Sequence, residues 1–121
     1  MEVSQAIEAL AALAQESRLS VFRLLVRQGP AGMAAGDIAR AVAVPPNTLS
    51  THLAILSRAG LVASRKAGRS VIYAMDVAGT RALLSFLVED CCRAERSVCD
   101  QLIETALAGC CPSEAASECC T

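Results

Sequence analysis

The chain is nearly without aromatic residues, with one Tyr, two Phe and no Trp in 121 positions. Ring side chains therefore do not fill its interior, and Ala- and Leu-rich helices are favoured over a sheet sandwich. It has no apolar run of about 18 residues, so neither a spanning segment nor a membrane partner is predicted. The opening MEVSQAIEAL is acidic and lacks a basic stretch ahead of an apolar one, which argues against an export signal and for a cytoplasmic protein. Histidine occurs once, as His52, and no cysteine precedes position 91. A chain of this length fits one compact domain and leaves no room for a second substantial core.

Acidic residues are also missing from one long window. None lies between Asp37 and Asp76, where Arg40, Arg58, Arg65, Lys66 and Arg69 stand alone. From Asp76 onward eight acids face Arg81, Arg93 and Arg96. The middle of the chain is thus suited to phosphates, and the tail is not.

Helical periodicity divides the first 60 residues. Residues 5–15 predict a helix with Ile7, Leu10 and Leu13 or Ala14 on its apolar face. Ser17 is a candidate cap for a second helix carrying Leu19, Phe22, Leu25 and Val26, ended by Gly29-Pro30 and Gly32. A third helix over 34–41 turns Ile38 inward, and Val42-Ala43-Val44-Pro45-Pro46 turns the chain. Asn47 is a candidate cap for a fourth helix over 48–59, with Leu49, Leu53 and Leu56 inside and Gly60 at its end.

Two such helices around a short turn form a helix-turn-helix pattern. The outer face of the second offers Thr48, Ser50, Thr51 and His52, short polar groups suited to base edges and phosphate oxygens. Residues 61–65 and 70–74 are β-type runs flanking Lys66-Ala67-Gly68-Arg69. They predict a hairpin with Lys66 and Arg69 at its tip and Arg65 beside them, a basic wing for backbone or minor-groove contact. The expected fold is mainly α with a small β-hairpin: a winged helix-turn-helix whose DNA-facing residues are Asn47, Thr48, Ser50, Thr51, His52, Arg65, Lys66 and Arg69.

The run Ser50-Thr51-His52-Leu53-Ala54-Ile55-Leu56, followed by Arg58-Ala59-Gly60-Leu61-Val62, resembles the recognition helix and exit of the ArsR/SmtB metalloregulatory repressors. The similarity spans about residues 5–92. It implies a homodimer paired through its first and last helices, bound to double-stranded operator DNA and released by a metal or metalloid. The apolar faces over 5–15 and 77–92 independently favour pairing, because they are large for so small a monomer.

Two sensor sites of that family are absent here. Where some relatives carry Cys-x-Cys-Asp before the recognition helix, this chain reads Ala34-Ala35-Gly36-Asp37. A zinc site of Asp and His on the last helix fails for want of histidine, His52 being expected to face DNA or pack within its own helix. What remains is Cys91-Cys92, six residues, then Cys99, which resembles the arsenite site of a subgroup sensing at the end of the last helix.

Thiol chemistry agrees with that resemblance. Trivalent arsenic or antimony takes three thiolates and no other donor, whereas zinc usually takes four ligands. Cys110, Cys111, Cys119 and Cys120 are possible auxiliary donors, so zinc, cadmium, copper(I) and mercury stay open. An unbroken helix from Cys92 to Cys99 would hold them about 10 Å apart, so a single ion needs a break or a thiol from the partner. The division expected is a DNA-binding, dimerisation and sensor domain over 1–108 and a Cys-rich tail over 109–121.

The function expected is a repressor released by arsenite, possible alternatives being another thiophilic metal or oxidation of the same three thiols. Nothing suggests catalysis: there is no C-x-x-C, no Gly-rich phosphate loop and no evident base, and no organic cofactor is expected.

Overall fold

The computed structural model describes residues 1–89 and 101–102. All seven cysteines therefore lie outside the described residues, as does the domain division expected at Ala108. The chain divides into two units, Met1–Phe86 and Leu87–Thr121. The first holds the fold. Its elements are α1 (Val3–Leu13), α2 (Glu16–Gln28), a 3-10 turn (Gly29–Ala31), β1 (Met33–Ala34), α3 (Ala35–Val42), α4 (Pro46–Arg58), β2 (Val62–Ala67) and β3 (Ser70–Met75). Helix α5 (Val77–Val88) begins in it. This is a winged helix-turn-helix. No helix among the described residues is long and apolar enough to cross a membrane.

Three antiparallel strands in the order β1-β3-β2 make the sheet. The β2–β3 register runs from Val62↔Met75 to Ala67↔Ser70, leaving Gly68-Arg69 as a two-residue turn. Gly68 takes φ 64°, the arrangement of a hairpin turn with glycine first. Strand β1 has only two residues, paired as Met33↔Tyr73 and Ala34↔Ile72, and so short an element has no periodicity for the sequence to display.

The core gathers Val21, Leu24 and Leu25 of α2, Ile38 of α3, Leu49, Leu53 and Leu56 of α4, Leu61 and Val62, and Leu83 of α5. From α1 it takes Ala6, Ala9 and Ala12. This corrects the sequence reading of α1: Ile7 is 60% and Leu10 43% exposed, and the buried stripe is made of alanines. Small side chains let α1 lie close to its neighbours and leave the larger apolar groups pointing out. Helix α2 keeps Leu25 buried and Phe22 half-buried as expected, but Leu19 and Val26 are exposed and Val21 and Leu24 are buried in their stead. Its cap is Gln15, whose side-chain oxygen accepts the Arg18 amide at 2.8 Å, rather than Ser17.

Helix α5 starts at Asp76, whose carboxylate accepts the Gly79 amide at 3.0 Å. The Asp76 amide donates to the Leu61 carbonyl at 2.9 Å. Gly79 lies so close to the end of α4 that a Cβ on it would overlap the Gly60 carbonyl. Only glycine permits that approach, and the start of α5 is thereby seated on the exit of α4.

Candidate nucleic-acid interface

The turn between α3 and α4 sets the presentation of α4. Helix α3 ends with Ala43 in the left-handed region at φ 55°, and the amides of Ala43 and Val44 both donate to the Ala39 carbonyl. The chain is then stiffened by two prolines. Pro45 occupies the N-cap and Pro46 the first helical position, where a missing amide hydrogen costs nothing. This corrects the expectation that Asn47 caps the helix: it is the second residue inside it. At the far end the amides of Gly60 and Leu61 bond to the carbonyls of Ser57 and Leu56, and Gly60 at φ 80° closes the helix.

Leu49, Leu53 and Leu56 anchor α4 to the core, each at most 1% exposed. That anchoring fixes which residues face out. Asn47, Thr48, Ser50 and Thr51 are all exposed. The Ser50 hydroxyl donates to the Pro46 carbonyl at 3.1 Å and that of Thr51 to the Asn47 carbonyl at 3.5 Å, so each oxygen keeps lone pairs for an outside donor. His52 is half-buried at the margin of this face, and its Nδ1 is buried without a hydrogen-bond partner among the described residues.

The basic groups are unequal. Arg40 is paired with Asp37 one turn earlier on α3, so its charge is partly offset. Lys66 and Arg69 are exposed on the hairpin, Lys66 in β2 opposite Val71 and Arg69 in the turn itself. Arg65 is exposed as well, but its guanidinium donates to the carbonyls of Pro30 and Ala31, at 3.3 and 2.9 Å. Sequence reasoning grouped these three cations, and only the folded chain separates them. An exposed polar helix face flanked by a basic hairpin is an arrangement that can enter a groove and hold phosphates beside it.

Comparison with known proteins places the fold in one class. The helix-turn-helix domain family matches residues 13–65. The chain is 29% identical over 93 residues to the transcriptional activator HlyU of Vibrio cholerae, covering 77% of this chain and 83% of that one. It is 36% identical over 72 residues to the HTH-type transcriptional regulator NmtR of Mycobacterium tuberculosis, covering 60% of this chain and 58% of that one. Among solved structures, a homodimeric winged helix-turn-helix DNA-binding domain from Mycobacterium bovis, a possible ArsR-family transcriptional regulator, superposes with a TM-score of 0.58. It is 30% identical, over 77% of this chain and 86% of that domain.

The fold and the surface define a DNA-binding transcriptional regulator. The chain belongs to the ArsR family of winged helix-turn-helix regulators.

Proposed function

We propose that the protein is a homodimeric repressor that leaves its operator when trivalent arsenic as arsenite, or trivalent antimony as antimonite, binds the thiolates of Cys91, Cys92 and Cys99. The observation that carries this reading is one of adjacency. Helix α5 is described to Val88, and Cys91-Cys92 follow three residues later in the sequence. On α5 the large side chains Val77, Leu84 and Leu87 are 51%, 58% and 51% exposed, and on α1 Val3, Ile7 and Leu10 are likewise uncovered. These two helices supply the apolar surface for a second copy. The seat of Gly79 against Gly60 joins the same α5 to the end of the reading helix α4.

A ligand releases DNA only to the extent that it prefers the free conformation over the bound one. Half-site spacing is set by the DNA repeat, so a ligand that shifts the dimerisation helix alters the separation of two reading heads and costs affinity. Three soft thiolates with no histidine nearby in sequence match trivalent arsenic better than a four-ligand ion. The relative HlyU is named as an activator, which favours one second reading: the same DNA and thiol parts with the opposite sign of regulation.

Operator binding followed by fluorescence anisotropy under reducing conditions tests the switch. Arsenite is expected to dissociate the wild-type protein. Cys91→Ser, Cys92→Ser and Cys99→Ser are expected to bind DNA normally and ignore arsenite, while truncation after Ala108 retains most of the response. A release that requires an oxidant and not arsenite would replace the metalloid reading with a redox one. Loss of arsenite binding on truncation, with all three serine variants still responsive, would move the sensor to Cys110, Cys111, Cys119 and Cys120.

A further inference from the structure

The wing is not held uniformly along its length. Strand β1 pairs with β3 only at Ile72 and Tyr73, and the β2 partner of Ile72 is Arg65. The row Ala34, Ile72, Arg65 is therefore the outermost level at which the sheet has three strands. Beyond it the hairpin continues as two strands alone, through Lys66↔Val71 and Ala67↔Ser70 to the turn at Gly68-Arg69. A free two-stranded hairpin is marginally stable in water, so the direction in which it projects is set at its root.

Arg65 sits at that root and reaches across the sheet. Its guanidinium holds the Pro30 and Ala31 carbonyls of the turn leading into β1, on the far side of β3. Both bonds are charge-assisted and come from one planar group, which fixes direction as well as distance. The turn it grips is itself pressed onto β3: Gly32 has φ 70°, and a Cβ there would overlap the Tyr73 carbonyl. One edge strand is thus tied across the central strand to a turn whose next residue, Gly32, lies against β3.

We propose that Arg65 is a positioning residue for DNA binding, a strap that sets the angle of the wing so that Lys66 and Arg69 reach phosphates, and that it neutralises no phosphate itself. This rests on the reading of α4 and the wing as the DNA surface. It assigns different tasks to three adjacent cations that the sequence presents as equivalent.

The dependence of operator affinity on salt separates the tasks. Each phosphate contact contributes about 0.9 to the slope of log K against log salt. Lys66→Gln and Arg69→Gln are expected to flatten that slope by about this amount each. Arg65→Gln is expected to weaken binding about tenfold at fixed salt, the scale of lost charged hydrogen bonds, with the wild-type slope. Arg65→Lys keeps the charge without the fork, and is expected to bind nearly as weakly, again with the wild-type slope. Full recovery by lysine, or a flattened slope in Arg65→Gln, would overturn the proposal by making Arg65 a phosphate contact. A lowered melting temperature with unchanged operator affinity of the folded dimer would overturn it by making Arg65 merely structural. Wild-type affinity and slope in Lys66→Gln and Arg69→Gln together would remove the wing from the DNA, and the strap with it.

Discussion

Helices α1 and α4 use their apolar residues in opposite ways. In α4 the large side chains Leu49, Leu53 and Leu56 point inward and the outer face is hydroxyls and an amide. In α1 the inward stripe is Ala6, Ala9 and Ala12, and the large side chains Val3, Ile7 and Leu10 point out. Both helices are amphipathic, and both pack on the same core. A polar outer face suits a nucleic acid, whereas a large apolar outer face costs free energy in water unless something covers it. The size of the inward residues, more than their polarity, tells which helix expects a second apolar partner.

That contrast predicts a large asymmetry between two side chains of equal size, Leu53 and Ile7. Leu53→Ala empties a site that is 1% exposed, and is expected to lower the unfolding free energy by about 2–5 kcal/mol, measured by chemical denaturation. Ile7→Ala, at 60% exposure, is expected to change the stability of the isolated fold by less than about 0.5 kcal/mol. Ile7→Asp is instead expected to show itself in sedimentation, as a shift from dimer to monomer at micromolar concentration. Equal destabilisation by Leu53→Ala and Ile7→Ala would erase the distinction between the two faces.

A reverse substitution sharpens the comparison from within α1. Ala9 is 0% exposed, so Ala9→Leu forces extra methylenes into a filled space and is expected to cost about 1–3 kcal/mol. Ala11 is exposed on the same helix, and Ala11→Leu is expected to be nearly neutral to folding. If Ala9→Leu were tolerated as well as Ala11→Leu, the alanine stripe would not be what lets α1 approach the core.

These positions also mark where the sequence was legible. The segment from α3 through the wing was readable because its signals are local: Leu49, Leu53 and Leu56 at helical spacing, the turn residues Gly60 and Gly68, and β-type runs on either side of a basic tip. The inner face of α1 is not legible because its large apolar residues point outward, and that of α2 is legible only in part, at Leu25, because periodicity does not distinguish a core from a partner. The tie from Arg65 to Pro30 and Ala31 joins residues more than 30 positions apart, and no local signal announces it. The Asp76 cap was a missed opportunity, since Asp before a helix is an ordinary start signal. The expected metalloid ligands Cys91, Cys92 and Cys99 lie outside the described residues.

A modest effect concerns the joint between α3 and α4, on which the presentation of α4 depends. Ala43 adopts φ 55°, a left-handed conformation that costs an L-residue with a Cβ about 1–2 kcal/mol. Glycine adopts it freely but has more conformational freedom to lose on folding, by about 0.4–1 kcal/mol. The two contributions leave a net gain, so Ala43→Gly is expected to stabilise the protein by about 0.5–1 kcal/mol, seen as a higher denaturation midpoint with unchanged slope. Ala43→Val places a β-branched side chain in the same conformation and is expected to destabilise. Opposite signs for these two substitutions would confirm that the turn before α4 is held under strain, because no contact made by a small exposed side chain predicts them. A destabilising Ala43→Gly would mean that the left-handed joint is not what ends α3, and the orientation of α4 would need another cause.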